Sequence, residues 1–197
     1  MKTAIVIPGF KQQVANGPGS RMFQPLLGDL KAAGYEVVPI AITWDRQDIV
    51  AWAAEAERQI SQLELPRCLL IGFSFGAMTA AVLATRHVFG RVFLCSLSPY
   101  FAEDVPRARS TWLAMAGKRR IETFSKLHFA EVVRDYKPHH TTVFLGTWEM
   151  KHRKAPVLGE RGKMAAKLLP GARLVMAEGA GHDLSHPAYK AAIKANL

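Results

Sequence analysis

The chain has few cysteines and lacks a long apolar run, and each absence excludes a class of protein. Cys68 and Cys95 are its only cysteines, too few for a disulfide-stapled secreted scaffold, and both lie in apolar stretches where cysteine serves as a small hydrophobe. No apolar run approaches the roughly 20 residues that a membrane-spanning helix needs. The N-terminal run stops at Pro8-Gly9, too early for a signal peptide. The sequence therefore predicts a cytoplasmic protein with no membrane partner.

Acidic residues are scarce relative to basic ones. The 197 residues include 26 Lys and Arg against 16 Asp and Glu, a formal net charge of +10. Residues 100–197 hold 17 of the basic side chains and 9 of the acidic ones. Such an excess favours either an anionic partner or a solvated basic surface. The chain has no recognition-helix motif and no interleaving of aromatic and basic residues, so nucleic-acid binding is not predicted.

Short apolar runs alternate with longer amphipathic segments. The runs are aliphatic or β-branched without strict alternation, which is typical of strands buried on both faces of a parallel sheet. Strands are predicted at 3–8, 35–42, 68–73, 91–97, 141–146 and 172–178, and helices at 22–33, 48–63, 75–88, 159–169 and 187–197. The alternation predicts an α/β fold with three layers, helices covering both faces of a six-stranded, mostly parallel sheet of order 2-1-3-4-5-6.

Residues 100–140 interrupt this alternation. They contain no strand-like run, and the stretch RARSTWLAMAGKRRIETFSKLHFAEVVRDYK within them predicts two helices. An insertion at the carboxyl end of a strand lies where open α/β sheets bind ligands. We expect a single domain over residues 1–197, with residues 100–140 forming a helical lid, a structural cover for the sheet, or both.

One serine stands between two glycines in Gly72-Phe73-Ser74-Phe75-Gly76, where a predicted strand meets a predicted helix. The pattern G-x-S-x-G suits a turn so sharp that the serine backbone is strained and its hydroxyl projects above the sheet. Side chains two residues before and after would collide, so both positions are glycine. The helix start adds free N–H groups and a positive dipole end. The pattern predicts Ser74 as a nucleophile, against the alternative of an incidental serine in a glycine-rich turn.

A serine hydroxyl needs a general base before it can act as a nucleophile. His182 follows the last predicted strand in the segment GAGH, where it can reach a serine on a neighbouring loop. His186 precedes Pro187 at a predicted helix start, and a capping or surface role explains it better. The adjacent His139 and His140 suggest a metal, but no Cys or carboxylate completes a ligand set. Neither a metal nor a cofactor is predicted.

The base in turn needs an acid that orients it. Glu149 follows the fifth predicted strand in GTWEMKHRK, one strand before the histidine, and adjacent strand ends bring their loops together. Asp104 follows the preceding strand and is the rival for this role. Asp135 also lies between the serine and the histidine in sequence, but it falls on a predicted helix, where a solvated surface position is the simpler explanation.

The oxygen of a tetrahedral intermediate needs at least two fixed hydrogen-bond donors. The backbone N–H of Phe75, directly after the serine, is one candidate. The loop IPGFKQQVANGPGS after the first strand should supply the other, and Phe10 is the candidate there. In the expected strand order the first and third strands flank the point where ligands bind. This loop lacks the pattern G-x-x-x-x-G-K-[ST], so a nucleotide site is not predicted.

With these segments assembled, the sequence resembles the α/β-hydrolase superfamily over nearly its whole length. The similar segments are VIPGF, GFSFG, LGTWE and LPGARLVMAEGAGH, which match the oxyanion loop, the nucleophile elbow, the acid loop and the histidine loop. The resemblance implies a minimal serine hydrolase with Ser74 as nucleophile, His182 as base and Glu149 as acid. The chain departs from the family in having Glu where Asp is commoner and Pro8-Gly9 where His-Gly is common.

Two classes of function follow from these observations. The first is a serine hydrolase that cleaves a small-molecule ester, thioester or amide through an acyl-enzyme. The basic segments KHRK at 151–154 and KRR at 118–120 suggest an anionic acyl substrate, such as a coenzyme A thioester, against a plain solubility role. The second class is a non-catalytic ligand-binding or interaction protein on the same fold. Because every triad position is filled, the first class is favoured.

Overall fold

The computed structural model describes residues 2–44, 48–137, 140–151 and 156–197. Its strands are β1 (Lys2–Ile7), β2 (Tyr35–Pro39), β3 (Cys68–Phe73), β4 (Arg91–Cys95), β5 (His140–Gly146) and β6 (Arg173–Ala177). They form one sheet in the order β2-β1-β3-β4-β5-β6, and every neighbouring pair is parallel. The strand number, direction and order predicted from the sequence are confirmed.

Helices connect these strands and follow the last one. They are α1 (Ser20–Ala32), α2 (Ile49–Ile60), α3 (Phe75–Arg86), α4 (Ser110–Ala116), α5 (Lys118–Phe124), α6 (Phe129–Asp135), α7 (Thr147–Lys151), α8 (Pro156–Leu168) and α9 (Pro187–Lys194). Three short helices occupy the insertion where two were predicted, because Gly117 adopts a φ of 84° and separates α4 from α5. None of the described helices is both long and apolar enough to cross a membrane.

Both faces of the sheet bury an apolar core, which gives the molecule three layers. On one face, side chains of β1, β3 and β4 pack with α2 and α3. On the other face, alternate side chains of the same strands pack with α1 and α9. All six residues of β3 are buried, which explains why that strand is a continuous apolar run rather than an alternating one.

Side-chain caps fix the beginnings of two helices. Asp48 accepts hydrogen bonds of 3.0 Å from the N–H groups of Val50 and Ala51 at the start of α2. His186 Nδ1 accepts a bond of 3.3 Å from the N–H of Ala188 at the start of α9. Both caps satisfy N–H groups that lack a partner within the helix. His186 therefore caps α9, which is one of the two roles that the sequence indicated for it.

Candidate active site

Ser74 lies on a strained turn between β3 and α3. Its φ of 58° and ψ of −119° place a non-glycine residue in a costly region of backbone space. A Cβ at Gly72 would lie 2.3 Å from the carbonyl oxygen of Gly76, and a Cβ at Gly76 would lie 2.3 Å from that of Pro8. The tight turn therefore requires glycine at both positions, as expected from the sequence pattern, and it lifts Ser74 above the carboxyl end of the sheet.

His182 and Glu149 are joined by a hydrogen bond of 2.7 Å between Nδ1 and Oε1. Glu149 is buried on α7, directly after β5, and its Oε2 accepts a bond of 2.8 Å from the N–H of Gly146 and one of 3.0 Å from the hydroxyl of Ser96. The carboxylate is thus held at both oxygens. Such a carboxylate fixes the orientation of a partner imidazole.

Close backbone packing brings the loop of Glu149 to the loop of His182. The N–H of Trp148 donates a bond of 2.9 Å to the carbonyl of Ala180. A Cβ at Gly146 would lie only 2.4 Å from that same oxygen. Because β5 and β6 are adjacent and parallel, their carboxyl ends present these two loops side by side. This is the arrangement that the order of the predicted strands implied.

Asp104, the rival acid, is engaged elsewhere. Its two carboxylate oxygens accept bonds of 2.7 and 2.6 Å from Nε and Nη2 of Arg161 on α8. The guanidinium carbon of Arg161 lies 5.0 Å from the centroid of the Phe101 ring and 4.5 Å from that of Phe129. Burial raises the pKa of Asp104, and Arg161 opposes this rise. Asp104 therefore ties the insertion to α8, and Glu149 is the carboxylate that reaches His182.

An apolar cavity of about 290 Å³ opens at the carboxyl ends of the strands. The residues that line it are Ser74, Phe75, Ser98, Pro99, Tyr100, Met115, Leu158 and His182. Burial raises the pKa of Tyr100 to about 12, so its phenol is neutral at physiological pH. The structure brings Ser74 and His182 to the wall of one cavity whose remaining lining, among the described residues, carries no charge.

Two serines after β4 contact the site and were not singled out from the sequence. Ser98 Oγ lies 3.0 Å from Ser74 Oγ, and Ser96 donates to Glu149. Ser96 has a φ of 48° and is fully buried, and its hydroxyl also lies 2.8 Å from the phenol of Tyr189. The detectable signal is a pair of hydroxyl residues two apart, directly after a buried strand. Polar side chains at that end of a parallel strand face the ligand site.

The two phenylalanines beside Ser74 have different surroundings. The Phe73 ring lies 4.7 Å from the His182 imidazole, centroid to centroid, with the planes 39° apart. The Phe75 ring lies on the opposite side, 4.7 Å from the Tyr100 ring, and it lines the cavity. Phe73 therefore supports the histidine, whereas Phe75 forms part of the cavity wall.

The two predicted oxyanion donors belong to neighbouring segments. Phe75 is the first residue of α3, so its N–H has no partner within the helix. The Phe10 ring packs 5.2 Å from the Phe75 ring, centroid to centroid. The loop of Phe10 is held by Gln12, whose side-chain oxygen accepts a bond of 3.2 Å from the N–H of Gly9 and whose carbonyl accepts one of 3.2 Å from the indole of Trp44.

Of the two basic segments noted in the sequence, KRR is described by the structure, and KHRK lies mostly outside the described residues. Residues 152–154 of KHRK lie outside the described residues, as does His139. Arg120 of KRR donates to the carbonyls of Trp44 and Ala116, and its guanidinium carbon lies 5.0 Å from the centroid of the Phe10 ring. It therefore links α5 to the loops around the site. Within the described ranges, no three His, Cys, Asp or Glu residues form a group that could hold a metal ion.

The chain is similar to known proteins in fold rather than in sequence. No family model matches the chain, and no curated protein matches its sequence. An esterase from Exiguobacterium antarcticum is similar in structure, with a TM-score of 0.66 and 16% identity over 100% of this chain and 90% of the esterase. An alpha/beta hydrolase enzyme from a lagoon-sediment metagenome has a TM-score of 0.63 and 17% identity over 93% and 84% of the respective chains. Alpha/beta hydrolase domain-containing protein 10 from mouse has a TM-score of 0.67 and 12% identity over 98% and 87%.

Proposed function

We propose that this chain, which has the α/β-hydrolase fold, is a serine hydrolase that cleaves an ester, thioester or amide through an acyl-enzyme. The fold alone does not decide this, since it also carries binding proteins. The observation that carries the proposal is the convergence of two features on one cavity. They are Ser74 on its strained turn and His182 bound through Nδ1 to the buried Glu149.

In the first half of the proposed reaction, Ser74 Oγ attacks the carbonyl carbon of the substrate while its proton passes to Nε2 of His182. Glu149 accepts the Nδ1–H bond and stabilises the imidazolium that forms. The tetrahedral intermediate collapses when the bond to the leaving group breaks, and His182 gives that group its proton. The acyl group is then held on Ser74 as an ester.

In the second half, water replaces the leaving group. His182 takes a proton from the water as its oxygen attacks the acyl carbon, and then returns a proton to Ser74 Oγ as the acid product departs. Both tetrahedral intermediates carry a negative oxygen. We assign the N–H groups of Phe75 and Phe10 as its donors, because they belong to the two segments whose side chains pack together beside Ser74.

The size and apolar lining of the cavity suit a small, uncharged acyl group, which is the part of the substrate that we place there. A water molecule occupies about 30 Å³ in the liquid, so the cavity of about 290 Å³ holds on the order of ten non-hydrogen atoms. Tyr100 and Met115, both from the 100–140 insertion, form part of its wall, which supports the role of that insertion as a lid. An anionic leaving group, if the substrate carries one, would lie outside this cavity.

Turnover of a graded substrate series tests the proposal. Wild type should hydrolyse p-nitrophenyl acetate and butyrate faster than the dodecanoate, and Ser74→Ala should reduce kcat by about 10³-fold or more. Acetyl-coenzyme A, measured over a salt series, tests the anionic alternative. Folded wild type that turns over none of these substrates, but is stabilised by one of them, would instead indicate the non-catalytic binding class.

A further inference from the structure

Ser98 is held against the nucleophile by the end of β4. The residue is 3% exposed, and its Oγ lies 3.0 Å from Ser74 Oγ. The backbone fixes this approach, because the N–H of Ser74 donates to the carbonyl of Cys95 and the N–H of Ser96 donates to the carbonyl of Phe144, each at 2.9 Å. The Ser98 hydroxyl therefore sits in a rigid frame, next to the one oxygen that the proposed reaction uses as nucleophile.

The number of hydrogens available decides which hydroxyl donates in the Ser98–Ser74 hydrogen bond during the proposed reaction. A serine hydroxyl has one hydrogen to donate and two lone pairs that accept. The proposed chemistry sends the hydrogen of Ser74 to His182. Ser98 must then be the donor in the Ser98–Ser74 contact, with Ser74 Oγ as the acceptor. A bond to an oxygen that gains negative charge is stronger than one between neutral groups, and burial strengthens it further.

We propose that Ser98 is a positioning residue, whose hydroxyl fixes the rotamer of Ser74 and donates a hydrogen bond to Oγ as proton transfer leaves charge on that oxygen. This inference rests on the proposed function. Because Oγ carries such charge both when it attacks and when it leaves, Ser98 accelerates formation and breakdown of the acyl-enzyme. Its effect is on kcat rather than on substrate binding.

Variants at Ser98 separate donation from space filling. Ser98→Ala removes the donor, and Ser98→Cys keeps a similar shape with only a weak donor. Both should lower kcat for p-nitrophenyl butyrate, and the rate of fluorophosphonate labelling, by about 10- to 100-fold. KM and the thermal unfolding midpoint should stay close to the wild-type values. Ser98→Thr, which keeps the hydroxyl, should restore most of the rate, and the exposed Ser125→Ala serves as the matched control.

Each other outcome overturns the inference. Labelling of Ser98→Ala at the wild-type rate would show that Ser98 only fills space, and faster labelling would show that it holds Ser74 away from His182. A rate loss that follows the unfolding midpoint and is not restored by threonine would show a structural role. Wild type that is not labelled at all would overturn the proposed function as well. If wild type is labelled and only the Ser98 variants depart from expectation, the inference fails and the proposed function stands.

Discussion

The Glu149 carboxylate and the His182 imidazole are joined by a hydrogen bond of 2.7 Å across a boundary between protein interior and cavity. The side chain of Glu149 is 1% exposed, whereas that of His182 is 39% exposed. The buried partner is fixed by bonds from Gly146 and Ser96, so it holds Nδ1 of a histidine that lines the cavity. A buried carboxylate would stabilise the imidazolium of the proposed reaction more strongly than an exposed carboxylate would, because the electrostatic interaction is less screened.

Replacement of this charge should affect catalysis more than folding. Glu149→Gln keeps the side-chain shape but removes the negative charge, and we expect kcat to fall by about 10²- to 10⁴-fold. Ester hydrolysis and circular dichroism on the same samples measure both effects. Glu122→Gln, an exposed position in the insertion, is the matched control and should retain full activity. Wild-type turnover by Glu149→Gln would remove the carboxylate from the mechanism.

Gly76, two residues after Ser74, should tolerate no side chain. A Cβ at Gly76 would lie 2.3 Å from the carbonyl oxygen of Pro8 and 2.4 Å from that of Ile7, so Gly76→Ala should lose about 4 kcal/mol or more of unfolding free energy. Gly28 lies within α1 and has open space around it, so Gly28→Ala should instead gain about 0.5–1 kcal/mol. Urea unfolding compares the two. Equal effects would mean that the turn is looser than described.

The ion pair between Arg161 and Asp104 should matter as a pair. Arg161→Met leaves Asp104 buried without its partner, and we expect a loss of about 3–5 kcal/mol. The double variant Arg161→Met/Asp104→Leu removes both charges and should recover much of that loss. Chemical denaturation of the single and double variants gives the coupling. Losses that simply add would contradict a clamp between the insertion and α8.

A surface cluster on α2 and α3 should contribute stability that depends on pH. His87, by hydrogen bonding, and then Arg86 hold the pKa of Glu57 below its usual range. A lowered folded-state pKa stabilises the protein above the unfolded value, near 4.3 for Glu, and this contribution disappears as the pH falls through the folded value.

Glu57→Gln should therefore cost a few tenths to about 1 kcal/mol at pH 7, since the groups are partly exposed. The difference from wild type should shrink below about pH 4. Urea unfolding at pH 7 and pH 3 measures it, and a difference that grows on acidification would show that the sign is wrong.

The sequence was most informative where a local pattern is compatible with only one local structure. The continuous apolar run Cys68–Phe73 indicated a strand buried on both faces, and the two glycines around Ser74 indicated a turn that excludes side chains. Local patterns were enough in these cases because the constraint is itself local.

Choices that depend on distant partners could not be read from the pattern. Asp104 and Glu149 both follow strands. The predicted strand order favoured Glu149, but the residue that engages Asp104 elsewhere is Arg161, which lies 57 residues from Asp104 in sequence. Ser96 and Ser98 look like ordinary loop residues until the packing of β4 between β3 and β5 places them beside Ser74 and Glu149. Helix α7, which carries Glu149, is only five residues long, too short for a helical period to be visible.

The most direct test of the central claim is to label the folded protein with a fluorophosphonate and locate the adduct by peptide mass spectrometry. We predict a single adduct on Ser74, formed at a rate that falls sharply in His182→Ala and Glu149→Gln. A folded wild-type protein that is not modified at Ser74, or that is modified equally fast in both variants, would contradict the account.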